Sequence, residues 1–237
     1  MPADPNRLAI VIPYRDREAH FRELFPRLAA FLADRHPALH CRIHLIEQAP
    51  GKPFNRGKLC NVGWTVARAT HDQVCFHDVD LVPIEADYSP VDGPTRLAWY
   101  GVDRQHDREA YFGGVVAFPA ADFERVNGFS NDFWGWGFED TEVRRRCTAA
   151  GLDIRFRDGT YEALPHEHNG FAPGGGLTTT AERNLGLLRS RWRALGMGAV
   201  QRRDGLSSLR FGERARRPLA VPGAPVNVEA LHVSVEI

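Results

Sequence analysis

No apolar run in this sequence approaches the roughly 18 consecutive residues of a membrane span; the most apolar stretches, LAIVI near the start and GGVVAF in the middle, are far shorter. The opening MPADPNR has no charged segment leading into an apolar one, so neither a signal peptide nor a membrane anchor is expected. Net charge is missing too. Thirty Lys and Arg balance 30 Asp and Glu, which removes any overall pull toward nucleic acid or anionic lipid and leaves an anion to be held by a local site. Cysteine is sparse, and Cys41, Cys60, Cys75 and Cys147 show no CxxC or other short metal-ligand spacing. That pattern excludes a secreted disulfide scaffold and predicts free, partly buried thiols in a reducing compartment. Internal repeats and low-complexity tracts are absent as well.

What is present, 43% hydrophobic and 25% charged residues over 237 positions, has the balance of one compact domain with room for a core and a cleft. RLAIVI at 7–12 ends at Pro13 and predicts a buried strand. Leu24, Phe25, Leu28, Phe31 and Leu32 then recur at helical spacing. CRIHLIEQ at 41–48 predicts a second strand, KLCNVGWTVARA at 58–69 a second helix, and VCFHD at 74–78 a third strand. This alternation predicts an α/β sheet covered by helices, with ligands beyond the carboxyl ends of the strands. Past a Pro-rich connector at 83–94, strands are expected at 96–100 and 111–118 and a short helix closing at Gly128. A helix over 139–150 follows, acidic at its start and basic later. Gly174, Gly175 and Gly176 mark a loop; a helix at 180–195, a basic loop and VNVEALHVSVEI as a last strand follow.

Three segments carry chemistry. Asp78 and Asp80 sit two apart directly after the third strand. Alone they fit a solvated or capping pair at a turn better, but carboxylates that bind a diphosphate need a hard divalent cation between the two. LPHEHNG places His166 and His168 around Glu167, and in extended chain both imidazoles face one way, toward an ion or simply toward solvent. NDFWGWGFEDTE at 131–142 sets two tryptophans among single glycines just before Glu139 and Asp140. An aromatic platform on a closing loop, next to a carboxylate able to take a hydroxyl proton, is the chemistry this combination suits.

IPYRDR at 12–17, FNRGKLCNVGW at 54–64, FHDVDLVP at 76–83, YFGGVVAF at 111–118, NGFSNDFWGWGFED at 127–140 and DGLSSL at 204–209 resemble, in order, the successive blocks of the β-1,4-galactosyltransferase family. The HxH segment is most similar to the xylosylprotein galactosyltransferase branch. The resemblance implies a GT-A fold in a single domain, Mn²⁺ as cofactor, UDP-galactose as donor and a saccharide or glycoconjugate as acceptor, joined by an inverting β-1,4 transfer. It makes Asp80, His166 and His168 the metal ligands and Asp140 the general base. Donor contacts carried over are Pro13, Arg15, Arg17, Phe54, Arg56, Asp78, Val79, Tyr111, Gly114 and Trp136; acceptor contacts are Trp136, Glu139, Asp140 and Thr141. Phe138 and Thr141 depart from the family's usual small or basic residue and second aspartate, which leaves the acceptor open. UDP-N-acetylgalactosamine or UDP-glucose as donor, and a silent binding module on the same scaffold, are the alternatives; retention of Asp140, Asp80 and both histidines argues for catalysis. The basic cluster Arg202, Arg203, Arg210, Arg214, Arg216 and Arg217 suits a solvated face or anionic lipid better than nucleic acid. A cytoplasmic, bacterial location, with or without membrane association, is the expectation.

Overall fold

The computed structural model describes residues 4–98, 111–166, 176–194, 196–223 and 225–237. The first half follows the expected alternation: β1 (Arg7–Tyr14), α1 (Glu18–Arg35), β2 (His40–Gln48), α2 (Arg56–Ala67) and β3 (Gln73–His77). Then come β4 (Leu81–Glu85), β5 (Thr95–Ala98), β6 (Val115–Pro119), α3 (Ala120–Arg125), α4 (Glu139–Ala149) and β7 (Arg155–Ala163). The chain finishes with α5 (Thr179–Ala194), α6 (Gly196–Arg203), a 3₁₀ turn at Leu206–Ser208, β8 (Gly212–Pro218) and β9 (Val228–Glu236).

The strands form a mixed sheet in the order β4-β7-β5-β6-β3-β1-β2-β9-β8. β1 lies parallel to both β2 and β3, and β9 is parallel to β2, whereas β6 runs antiparallel to β3. β1 is central and buried on both faces, which is why it reads as an unbroken apolar run rather than an alternating one. Leu8, Ile10 and Ile12 pack with Leu24, Leu28 and Leu32 of α1. Ala9 and Val11 point the other way, into a second core with Leu59 and Val62 of α2, Phe123 of α3 and Val143 of α4. Each fully buried Ile or Leu contributes about 1.5–3 kcal/mol, so the two cores anchor the sheet from both sides.

Several elements differ from the sequence reading, among them α6, a helix beyond the one expected at 180–195. The Pro-rich connector contains β4, whose Pro83 is tolerated because β4 is an edge strand with no ladder partner on its outer side. Residues 155–163 form β7, paired to β4 and β5. The basic loop contains β8, a wholly exposed edge strand held only by β9. The strand expected from 111 begins instead at Val115, and residues 111–114 are irregular chain at the cleft. Residues 99 and 100 of the expected strand, and Gly174 and Gly175, lie outside the described residues. All four cysteines are free and fully buried rather than partly so. No helix among the described residues is long and apolar enough to cross a membrane.

Candidate functional site

A cleft of about 920 Å³ opens beyond the carboxyl ends of β1 and β3. It is lined by Pro13, Arg15 and Arg17 from the end of β1, by Phe54 and Arg56 ahead of and at the start of α2, and by Asp78, Val79 and Asp80 after β3. Tyr111, Gly114, Trp136, Glu139, Asp140, Thr141 and His166 also line it. Every residue carried over as a metal, donor, acceptor or base candidate is therefore brought to one place, except His168, which lies outside the described residues.

Arg56 is the electrostatic centre. Asn55 caps α2 by accepting from the Lys58 backbone N–H, which sets the first turn so that Arg56 turns inward. Its Nε donates to Asp78 Oδ1 at 2.6 Å, and its Nη1 stands 3.7 Å from Glu139 Oε1. Both terminal nitrogens are buried and make no hydrogen bond among the described residues. A buried charged donor left unpaired costs about 1–3 kcal/mol or more, a deficit that an anionic ligand in the cleft would remove. Asp78 is thus committed to orienting a cation. Asp80, two residues on, carries the metal-type geometry: its Oδ2 lies 3.0 Å from His166 Nδ1. A carboxylate oxygen beside an imidazole nitrogen, on segments far apart in sequence, is a donor set that fits Mn²⁺. No group of three metal-binding side chains occurs among the described residues. The Asp80 carboxyl is pushed up by burial and then by Asp78, the response of a carboxylate crowded by like charge. His20 of α1 packs edge-on to His166 and bonds the Pro165 carbonyl, a support the sequence reading did not find.

At the opposite wall, α4 begins at Glu139 behind Phe138, which caps it in the left-handed conformation at φ 73. The Glu139 carboxyl is pushed up to about 7, first by burial and then by Asp140. Asp140 is also raised, by burial; the Thr141 backbone N–H, at 2.6 Å from its Oδ1, works in the opposite direction. A helix start by itself favours the ionised form, but desolvation outweighs it here. Gly113 was missed in the sequence. A Cβ there would stand 2.8 Å from Asp140 Oδ2 and 2.9 Å from the Tyr111 hydroxyl, so only glycine lets these two groups approach across the cleft. Its signal was the first glycine of YFGG. Arg96, buried in β5, donates to the Tyr111 carbonyl at 2.9 Å.

The two tryptophans are not equivalent. Trp134 packs on the second core with Lys52 and Lys58 over its ring. Trp136 is 41% exposed at the mouth of the cleft. Gly135 and Gly137, at φ 77 and 95, make the reversals that send the indoles apart. At the first block, Arg15 lies over the Phe54 ring at 5.6 Å and donates to the Lys52 carbonyl.

Comparison with known proteins agrees with this geometry. Residues 3–89 match the N-terminal region of glycosyl transferase group 7, and residues 95–169 match a galactosyltransferase domain model. The chain is 31% identical over 230 residues to β-1,4-galactosyltransferase 7 of Mus musculus, covering 94% of this chain and 67% of that protein. Against β-1,4-galactosyltransferase 4 of Homo sapiens, identity is 42% over 157 residues, or 63% of this chain and 44% of that one. The catalytic domain of Drosophila β-1,4-galactosyltransferase 7, solved with xylobiose, superposes with a TM-score of 0.76 at 25% identity, over 98% of this chain and 94% of that one. A variant of the same enzyme, solved with manganese, UDP-Gal and xylobiose, gives 0.77 at 23% identity over the same shares. With both halves of the chain matched in order on a GT-A scaffold, the protein belongs to the β-1,4-galactosyltransferase family, the group 7 glycosyltransferases.

Proposed function

We propose that this protein transfers galactose from UDP-galactose to a saccharide hydroxyl, with Mn²⁺ as cofactor, inversion at the anomeric carbon and a β-1,4 linkage in the product. One observation carries the reading: the buried Arg56 guanidinium, whose two terminal nitrogens make no hydrogen bond among the described residues, shares a cleft with the Asp80–His166 pair and with the Glu139–Asp140 carboxylates. Anion, divalent cation and transferable proton each have a complementary group there.

In this mechanism Pro13, Arg15, Arg17 and Phe54 hold the uridine end, and Arg56, oriented by Asp78, takes a phosphate oxygen. Val79 closes the floor beside them. Tyr111 and Gly114 line the donor sugar, while Trp136, Glu139 and Thr141 position the acceptor. Asp140 accepts the proton of the attacking hydroxyl as its oxygen bonds to the anomeric carbon and the bond from that carbon to UDP breaks. Mn²⁺, when held by Asp80, His166 and His168, supplies charge neutralisation for the departing diphosphate. A single in-line displacement turns an α-linked donor into a β-linked product.

The test is a panel of UDP-sugars with Mn²⁺, scored first for donor hydrolysis and then for transfer to xylosides and to N-acetylglucosamine and glucose glycosides. Xylosides come first, because the HxH segment and the xylobiose-bound Drosophila enzyme favour that acceptor. UDP-galactose should be consumed fastest and NMR should give a β product; an α product, or preference for an acetylated donor, would overturn the reading. Asp80→Ala should abolish the Mn²⁺-dependent rate while the fold persists, and full activity of that variant in chelator would refute the metal assignment. A contact with anionic lipid through exposed Arg214, Arg216 and Arg217 of β8 belongs to the same reading and is checked by liposome co-sedimentation.

A further inference from the structure

Trp136 projects from a segment in which both neighbours are glycine, so no adjacent side chain decides how its peptide planes are turned. One amide on α5 reaches three of the carbonyls in this segment. Asn184 Nδ2 lies 3.2 Å from the Trp134 carbonyl, 3.1 Å from that of Trp136 and 3.2 Å from that of Gly137. The side chain is completely buried, and its Oδ1 has no hydrogen-bond partner among the described residues. Since all three neighbours are acceptors, only the NH₂ end can face them, and its two hydrogens are shared among three carbonyls. An asparagine kept buried at the expense of its own acceptor is serving these carbonyls, not its own solvation.

The rest of the α5 face continues the contact. Thr180, one turn earlier, is 3.1 Å from the position of a Gly135 Cβ. Arg191, two turns later, donates to Ser130 Oγ at 2.8 Å and pairs with Asp132. Positions 180, 184 and 191 fall on one helical stripe, so α5 braces residues 130–137 along their length. Apart from Asn184, the backbone bond from Gly135 N–H to the Phe54 carbonyl, 2.7 Å, ties this turn to the uridine-side wall.

We propose that Asn184 is a positioning residue for the acceptor sugar, acting through the carbonyls on either side of Trp136 to set the indole against the cleft. The proposal rests on the assignment of Trp136 to the acceptor. Asparagine suits the task because it offers two donors on a short stem; an isosteric aspartate in its place would be acceptor-only and would repel the same three oxygens.

The experiment compares Asn184→Asp with the wild type by hydrogen exchange over 131–138 in the free protein, alongside steady-state kinetics. Exchange in that segment should rise at least tenfold and acceptor KM should rise at least tenfold. UDP-galactose KM and acceptor-free hydrolysis should change far less than acceptor KM, because every donor contact other than Trp136, from Pro13 to Arg56 and Tyr111, lies on other segments of the cleft. Should Asn184→Asp fail to fold, Asn184→Ser, which retains one donor, takes its place with smaller shifts in the same direction. Unchanged exchange, or donor and acceptor parameters falling together with the melting temperature, would overturn the proposal. If the wild type consumes no UDP-sugar, the functional reading fails on its own, and the exchange comparison still decides whether Asn184 holds the turn.

Discussion

Asp140 and Glu139 decide the protonation chemistry at the smallest scale. Both are raised by burial, and Glu139 reaches about 7 because Asp140 adds a second negative charge beside it. A base must be ionised to act, so kcat should climb with pH along a limb that lies above the ordinary carboxylate range. A pH–rate profile that is flat down to pH 4 would contradict this. Asp140→Asn should leave UDP-galactose and Mn²⁺ binding nearly unchanged yet lower transfer by roughly 10²–10⁴-fold, the usual worth of a positioned base; calorimetry and single-turnover assays separate the two, and unimpaired turnover would exclude the role. Tyr111 governs the donor in a comparable way. Its ring lines the cleft and its hydroxyl abuts Gly113, in the space an N-acetyl group would need. Tyr111→Leu should admit UDP-N-acetylgalactosamine, shifting the kcat/KM ratio by about 1–3 kcal/mol.

The turn around Trp136 and the helix behind it form the element on which acceptor geometry depends. Gly135 and Gly137 both have positive φ, but only Gly135 faces an obstacle, Thr180 at 3.1 Å; nothing lies within 4 Å of a Cβ at Gly137. Gly137→Ala should therefore lose only the left-handed backbone cost of about 1–2 kcal/mol, and Gly135→Ala should lose more. Urea unfolding checks the order, and Thr180→Ala should recover part of the difference in a double-mutant cycle. Equal losses at the two glycines would show that α5 does not press on the turn. Elements in the first half were legible because their apolar periods are long and uninterrupted, as in RLAIVI. β4, β7 and β8 were not, since Pro83, the charges of RFRDGTYEA and the arginines of GERARRP all disguise edge or exposed strands. Pairing partners, not local propensity, made them strands.

Over the whole molecule, buried ionisable groups set the response to acid. His44 and His77 are pushed down, to about 3 and about 4, chiefly by burial. Their folded values lie below the unfolded value near 6.5, so the unfolded chain binds more protons and the stability they contribute is present above pH 6.5. It is lost as pH falls toward 4, by about 1.4 kcal/mol per pH unit for each group. Glu139 has the opposite sign, its stability present below its unfolded pKa and lost as pH rises through about 7. At 1% exposure, both ring nitrogens of His44 also lack a hydrogen-bond partner among the described residues. His44→Leu should be at least as stable as the wild type at pH 7 and should lose less melting temperature on acidification; an unchanged acid limb would show that the acid sensitivity comes from elsewhere.

The sequence by itself determined the alternating α/β order, the place of Asp78 and Asp80 at a strand end, the family resemblance and, through it, most of the residues that line the cleft. These depend on local pattern and on motif spacing, which one dimension records. Only the tertiary structure decided that Asp78 serves Arg56 while Asp80 meets His166, that Trp134 is packed away and Trp136 presented, and that burial overrides the helix start at Asp140. Gly113 and Asn184 became visible in the same way. Each of these facts rests on the distance and desolvation between segments far apart in the chain, and neither periodicity nor propensity carries that information.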